Sequence, residues 1–468
     1  MLFPTISFAV FFAVVFPITW LLNSRNTWKK WFLVAASYYF YAFWRVEFTL
    51  LLFASSVGNY LVALLLGGLP DGRTRRAVLW LAVIANLSVL GCFKYYNFFA
   101  ASLIDAFAAF GMPGNVPFLE VALPIAISFL TFHALSYVID VYDRTLKPTT
   151  SLVDILLYIS FFPHLIAGPI VRAAKFLSQT THASYLADVR LAQSVFLILG
   201  GLFKKVIIAN YLSTDFVDGV FRAPGDYSSL DLLLGMYAYA IQIYCDFSAY
   251  TDIAIGVANL LGYQFPQNFN QPYRALTVQD FWRRWHITLS SWLRDYLYIR
   301  LGGNRGGRLR TWFNIMVTML LGGLWHGASW NFVLWGWLHG AALVVERAFG
   351  LTGASRTRLG AALAWFVTFH FVCLTWVFFR SPSSEATFAY FATLFSGASW
   401  STTMTPLVAS VLTLGALTQI VPNGWFEALE ARYDTGSLAF KVAVPFAAIF
   451  VIAIAAPGGI APFIYFQF

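Results

Sequence analysis

The sequence predicts an all-α integral membrane protein: many crossing helices, with re-entrant and interfacial pieces between them. Three observations lead there. Hydrophobic residues make up 59% of the chain and charged residues 11%, far below the ~25% charged share of soluble domains. Apolar stretches recur from one end to the other, more than a single soluble core holds. Finally, the histidine of Gly322-Gly-Leu-Trp-His326-Gly sits in almost purely apolar sequence. There an imidazole costs free energy unless it is hydrogen-bonded, and ionisable groups at membrane depth usually line a pathway or a site.

Taken in order, the apolar segments are residues 3–22, 31–44, 48–66, 77–93, 121–142, 191–206, 232–261, 312–325, 329–345, 359–379, 406–421 and 442–456. A crossing takes ~20 residues, so about eleven helices are expected to cross, with the shorter pieces buried or re-entrant. The first segment lacks a basic leader and runs on into Arg25, Lys29 and Lys30. That is the pattern of a retained span whose C-terminal end faces the cytoplasm. The run Tyr158-Ile-Ser-Phe-Phe-Pro-His164-Leu-Ile-Ala-Gly-Pro-Ile170 is apolar but broken by two prolines and a glycine. Broken backbone at membrane depth is tolerated only inside protein or along a cavity, so a re-entrant element is expected, with His164 as a cavity-lining candidate.

The whole chain, 1–468, reads as one membrane domain without a long polar linker or an internal repeat. Its longest non-spanning stretch, 262–310, opens on prolines and asparagines that signal turns. From Thr277 the pattern turns helical. Thr277 is an N-cap candidate with Asp280 three residues on, and Phe281, Trp285, Leu289, Trp292, Tyr296 and Ile299 recur at three- and four-residue steps. Arg283, Arg284 and Arg294 take other positions, so an amphipathic helix at the membrane interface is expected.

The net charge of +9 is unevenly spread. Eight arginines stand against two acids, Asp280 and Asp295, between Arg274 and Arg310, whereas 213–231 holds four acids and only Arg222. The positive-inside rule puts the first segment on the cytoplasmic face and permits the second outside. Anionic lipid or a phosphorylated donor accounts for the basic charge better than nucleic acid does. Arg283, Arg284 and Arg305 would suit such a donor, although a role in topology is the favoured account of them. Cys92, Cys245 and Cys373 lie apart in apolar surroundings and read as buried thiols. No metal spacing occurs, and Gly302-Gly-Asn304-Arg305-Gly-Gly307 lacks the context of a phosphate loop and reads as a turn.

Two histidines carry the chemistry. A neutral imidazole is well matched to proton transfer near pH 7, which makes an enzyme of the chain. For His326, small neighbours (Gly322, Gly323, Gly327, Ala328) suggest room for another molecule beside the ring. His286, in Phe281-Trp-Arg-Arg-Trp-His286, follows the arginine pair; donor positioning competes with a place at the helix's polar edge. His133, His339 and His370 read as satisfied core residues, and His182 as solvated. Asp246 and Asp252, six positions apart, suit capping of broken helices, pairing with Lys204 or Lys205, or a place along a cavity, and pairing is the favoured expectation.

In motif after motif the chain resembles the membrane-bound O-acyltransferase (MBOAT) family, and within it the bacterial alginate O-acetyltransferase branch. The resemblance rests on Leu123-Pro-Ile-Ala-Ile-Ser-Phe-Leu-Thr-Phe132, Phe161-Phe-Pro-His-Leu-Ile-Ala-Gly-Pro-Ile-Val-Arg172, Gly201-Leu-Phe-Lys-Lys-Val-Ile-Ile-Ala209, Gln242-Ile-Tyr-Cys-Asp-Phe-Ser248, Phe281-Trp-Arg-Arg-Trp-His-Ile-Thr-Leu-Ser290, Leu301-Gly-Gly-Asn-Arg305, Gly323-Leu-Trp-His-Gly327 and Phe463-Ile-Tyr-Phe-Gln-Phe468, in that order. The chain departs from the family pattern at Asn210, Arg300 and Ala249-Tyr-Thr-Asp252, where the family usually shows Asp, Pro and Gly-Tyr-Ser-Asp.

The resemblance implies a helical bundle around a transmembrane tunnel. It also implies transfer of an acetyl group from a cytoplasmic thioester, acetyl-CoA or an acyl-carrier protein, across a bacterial inner membrane. The acceptor it implies is an exported polysaccharide, alginate or a similar exopolysaccharide, reached with an extracytoplasmic acetyltransferase partner. No bound cofactor is called for. His326 is then the general base, with His286 supporting it and Trp325 beside them as an oxyanion donor; Arg283, Arg284, Asn304, Arg305 and His164 are substrate-binding candidates. In the aromatic tail 463–468, apolar to its last residue, Tyr465 is the one phenol. A phenyl ester retains transfer potential, because phenol leaves at pKa ~10, so Tyr465 is a relay candidate and an interfacial anchor is the alternative. The competing class is a transporter or flippase of a glycan-export system without acyl chemistry; the motifs and the lack of a repeat count against it.

Overall fold

In a computed structural model of the protein the described residues are all but 113, 121, 352–356, 398, 460–461, 465–468 and the side chain of Asn423, and they contain helices and no strand. The chain groups into two compact units, Met1–Val189 with Val257–Phe265, and Arg190–Gly256 with Pro266–Phe468.

The first unit contains α1 (Ile6–Leu21), α2 (Asn26–Ala42), α3 (Phe48–Gly68), α4 (Arg73–Leu90), α5 (Tyr96–Ala109), α6 (Ile127–Tyr142), α7 (Leu152–Ser160), α8 (Phe162–Leu165) and α9 (Ala173–Thr180). α6 is its centre. Residues 127–138 are buried without a break, as expected of a helix that is apolar on every side, and α3 and α4 pack against it. α7 lies on α2 and α3, where Lys30 and Asp154 form a 2.7 Å ion pair. The segment expected to be re-entrant is two short helices, α7 and α8, hinged at Phe161 and followed by irregular chain, and 158–171 is buried throughout. Gly168 is required there, because a Cβ would stand 2.4 Å from the His164 Cα.

The second unit begins with a helical rod. α10 (Leu191–Phe203) passes through a π-helical stretch (Lys204–Ala209) into α11 (Asn210–Leu212), a second π-helical stretch (Ser213–Val217) and α12 (Asp218–Arg222). α13 (Ser229–Leu260) runs beside it. Gly201 and Gly256 permit close approach, since a Cβ at either would come within 3 Å of the other helix: Ile253 Cγ1 at 2.6 Å for Gly201, Ile198 Cγ1 at 2.8 Å for Gly256. Then follow α14 (Val278–Arg284), α15 (Ile287–Leu293), α16 (Gly307–His326), α17 (Trp330–Ala348), α18 (Arg358–Arg380), α19 (Ser384–Phe395), α20 (Pro406–Leu417), α21 (Asn423–Asp434) and α22 (Leu438–Ala455).

Five helical stretches among the described residues are long and apolar enough to cross a membrane: 48–68, 73–109, 191–222, 358–380 and 438–455; α1, α6 and α20 are shorter apolar helices. α22 keeps one face of its apolar surface after another exposed, as a lipid-facing helix does. The chain is a multi-pass membrane protein. Against about eleven crossings expected, the other apolar runs of the sequence fall on helices that are shorter or less apolar than these five.

α16 and α17 cross with backbones nearly touching. A Cβ on Gly323 would stand 2.2 Å from the Phe332 carbonyl oxygen, and one on Gly336 2.4 Å from that of Met319. By contrast, a Cβ on Gly322 meets only Leu293 Cδ1, at 3.2 Å. Gly323→Ala is therefore expected to lower stability by roughly 1–3 kcal/mol, the usual penalty of overpacking, and Gly322→Ala by much less. Thermal unfolding of the two purified variants checks this; equal midpoints would contradict the crossing.

Candidate active site

His326 is the last residue of α16. Gly327 next to it is extended and ends the helix, and Ser329 opens α17 after a short turn. The ring is 4% exposed and meets Trp325, Trp335 and Phe379 edge-on, with centroids 5.0, 5.1 and 5.1 Å away. The C-terminal end of a helix dipole favours positive charge, the charge an imidazole acquires on taking a proton. The glycines around His326 do not leave the open space expected of them. Gly323 faces the α17 backbone, and a Cβ on Gly327 would strike the Phe332 ring at 2.0 Å. The small residues bring α17 against the end of α16, so the walls beside the histidine are Trp335 and Phe332 rather than a void.

His286 lies between α14 and α15. The expected amphipathic helix starts where predicted, with Thr277 Oγ1 accepting the Asp280 N–H at 3.0 Å. It breaks, however, at 285–286: Trp285 is extended and His286 has φ 43° and ψ 54°, in the left-handed region. A left-handed residue other than glycine costs about 1–3 kcal/mol and persists only where neighbours impose it. Here Asn268 imposes it. Its carbonyl accepts the Ile287 N–H at 2.9 Å, and its Oδ1 accepts both the Thr288 N–H and the Thr288 hydroxyl, at 3.1 and 2.9 Å. Phe281, Trp285, Leu289 and Trp292 point into the protein and are buried; Trp285 packs on Phe269 and Trp376, both at 5.0 Å.

The break turns the His286 ring into a fully buried aromatic cluster with Phe247 at 4.7 Å, Trp325 at 5.7 Å and His326 at 6.5 Å between centroids. Three of the residues singled out from sequence, His286, Trp325 and His326, thus converge. Phe247 on α13 and Asn268 in the preceding loop belong with them and were missed. Phe247 is adjacent to Asp246 in a motif whose acid drew attention, and Asn268 looked like a generic turn residue.

The other candidates sit elsewhere or apart. Arg283 is exposed, and Arg284 grips Asp280 on its own helix at 3.0 Å. Asn304 accepts from the Tyr298 hydroxyl, and both it and Arg305 are exposed. Arg305 and Arg310 line an open hollow of about 750 Å³ at the glycine turn, where Gly302, Gly303, Gly306 and Gly307 all have positive φ. His164 is in the first unit, stacked on His133 at 4.5 Å, with its Nε2–H donating to the Tyr158 carbonyl at 2.9 Å. Tyr465 lies outside the described residues; Phe463 and Ile464 before it are 1% exposed, with Phe463 6.0 Å from Phe247. His339 bonds Trp282 and Thr375 at 3.3 and 3.0 Å, and His370 bonds Tyr237 and the Phe366 carbonyl, both at 2.7 Å. Asp246 pairs with Lys205 and Asp252 with Lys204. Among the described residues no three His, Cys, Asp or Glu side chains converge as metal ligands would.

A polytopic helical membrane protein with a buried imidazole pair is the setting of proton-transfer chemistry kept from water. Comparison with known proteins gives the class a name. The profile of the membrane-bound O-acyltransferase family matches residues 144–381. The chain is 42% identical over 404 residues to a probable alginate O-acetylase of Pseudomonas aeruginosa, covering 86% of this chain and 76% of that protein. It is 41% identical over 385 residues to a peptidoglycan O-acetyltransferase of Helicobacter pylori, covering 76% and 72%. A teichoic acid D-alanyltransferase of Bacillus subtilis is 30% identical over 272 residues, covering 54% and 68%. The chain belongs to the membrane-bound O-acyltransferase family and is an O-acyltransferase.

Burial holds the His286 imidazole down at about 3, against an ordinary value of ~6.5. A group whose folded pKa lies below its unfolded value favours folding while neutral, and that stability is lost as pH falls from about 6.5 towards 3. His286 is thus neutral throughout the range near pH 7 and contributes no ionisation there. His286→Asn, which tolerates the left-handed backbone, is expected to lower the rate without moving the midpoints of the pH–rate profile. Loss of an acid limb in that variant would contradict the assignment.

Proposed function

We propose that this O-acyltransferase moves an acetyl group from a cytoplasmic thioester, acetyl-CoA or an acyl-carrier protein, across a bacterial inner membrane for O-acetylation of an exported polysaccharide, alginate or a similar exopolysaccharide. The observation that carries the reading is the convergence of His326 and His286 in a buried aromatic cluster, their ring centroids 6.5 Å apart. The names of the relatives, two O-acetylating and one D-alanylating, support acyl transfer to a cell-envelope polymer.

A thioester is already activated, and a hydroxyl is a weak nucleophile at pH 7. A positioned general base contributes about 10²- to 10⁴-fold. His326 takes the proton of the attacking hydroxyl, the carbonyl carbon gains the new C–O bond, the C–S bond breaks, and the thiolate leaves with the proton that His326 returns. The neutral His286 and the Trp325 N–H serve as donors to the developing oxyanion. The aromatic walls exclude water, which would otherwise hydrolyse the donor.

Tyr465 is the acceptor of this first transfer and passes the acetyl group to an extracytoplasmic acetyltransferase, because a phenyl ester keeps most of the transfer potential of the thioester. Support comes from the residues just before it: the Phe463 ring meets Phe247, which meets His286. The arginines of 274–310, with Arg305 at the glycine turn, face the cytoplasm and the phosphates of the donor.

His326→Ala is expected to reduce polymer acetylation at least ~100-fold with normal amounts of protein in the membrane, and Tyr465→Phe, which removes only the hydroxyl, to abolish transfer to polymer. Normal acetylation by the first variant removes His326 from catalysis; by the second, it leaves the tail an anchor. For orientation, a cysteine at Asn304 should resist an impermeant thiol reagent applied to intact cells. Labelling there would put the arginines, and the donor with them, on the wrong side.

A further inference from the structure

From the last residue of α22 onward the chain is tied down at three described points. The Tyr211 hydroxyl donates to the Ala455 carbonyl at 3.0 Å, and the Asn210 amide donates to the Gly459 carbonyl at 2.8 Å. The third tie is of another kind. The Ile464 N–H donates to Asp246 Oδ2 at 2.8 Å, while Oδ1 of the same carboxylate lies 2.6 Å from Lys205 Nζ, with side chains only 4% and 3% exposed.

Withdrawing two charges from water is expensive, and a buried pair is no cheaper than a well-packed apolar one. Joining the rod to α13 does not call for it either. The neighbouring pair, Lys204 with Asp252 and Ser248, already links the same two elements. What Lys205–Asp246 alone provides is a carboxylate fixed in charge and orientation, with one oxygen presented to a backbone N–H 218 positions further along the chain. A hydrogen bond to a charged acceptor is roughly twice as strong as a neutral one. Next to it on α13, Phe247 and Tyr250 receive the Phe463 ring at 6.0 and 4.2 Å, and Phe247 is the residue that touches His286. The acid and the ring platform thus form one docking face, ending at the histidine pair.

We propose that Asp246, oriented by Lys205, is a positioning residue that docks residues 463–464 on α13 and so presents the residue after them to His286 and His326. The catalytic consequence rests on the relay reading of Tyr465; the docking does not.

Hydrogen–deuterium exchange of the Ile464 amide in the purified full chain reads the docking directly, and polymer acetylation reads its consequence. Lys205→Met with Asp246→Leu replaces the pair by apolar side chains, a change that buried ion pairs often tolerate. Lys205→Met with Asp246→Asn removes both charges but keeps an acceptor for the N–H. In the Leu variant the amide is expected to exchange at least ~100-fold faster than in the wild type and acetylation to fall at least ~10-fold; in the Asn variant both stay within about tenfold of the wild type. Unchanged protection in the Leu variant overturns the proposal, and so does equal loss of acetylation in the two, which would mean that the charges matter and the acceptor does not. If the Leu variant fails to fold, Ile464→Pro deletes the donor alone outside the helical core; a ~10-fold loss of acetylation is expected, and wild-type acetylation there, with Tyr465→Phe inactive, overturns the docking role. A freed amide with normal acetylation, in the Leu variant and in Tyr465→Phe alike, upholds the docking and sinks the relay.

Discussion

The backbone contact of α16 with α17 fixes the site. Because Gly323 and Gly336 carry no side chains, the Phe332 and Met319 carbonyls approach to a distance no other residue permits. The turn between the helices is correspondingly short, and α16 must end at His326. Trp335 and Phe379 then close around the imidazole. A side chain at a helix end is normally free to swing; this one is held on three sides by rings, with its direction decided by the crossing.

The second half of the site is built on an opposite principle. His286 has no close helix crossing to place it and relies on a backbone joint of unfavourable conformation. Asn268 offsets that by satisfying three donors with one residue, and Glu346 from the end of α17 does the same for the start of α14 by accepting the Val278 and Gln279 N–H groups. The two short helices on either side of His286, α14 and α15, are therefore each held at the start by a side chain from elsewhere in the chain.

Much of this was legible in the residues. Apolar runs and scarce charge gave the helical membrane class, the Thr277 cap gave the start of α14, and the apolar surroundings of His326 singled it out. What could not be read was anything dependent on three-dimensional proximity. The periodic aromatics from Phe281 to Ile299 suit a continuous helix, and nothing local says that Trp285 and His286 leave it; the instruction comes from Asn268. The glycines near His326 read as room because a sequence cannot distinguish space left open from space filled by another backbone. Phe247 was hidden by its ordinariness, one phenylalanine among 47, and only the fold gives it a place between the 463–464 segment and His286.

The π-helical stretch 204–209 has a meaning for how such a chain can change length. A π turn holds one residue more than the α turn it replaces, and each residue advances a helix by ~100°. The extra residue sets the phase of everything after it, including Asn210 and Tyr211, which reach back to the Gly459 and Ala455 carbonyls. Losing one residue anywhere in this stretch would relax it to a regular helix that is locally more comfortable, yet turn both side chains away from the carbonyls they hold. In this part of the chain, then, a substitution can be absorbed far more easily than a deletion, and residue count rather than residue identity is what the geometry demands.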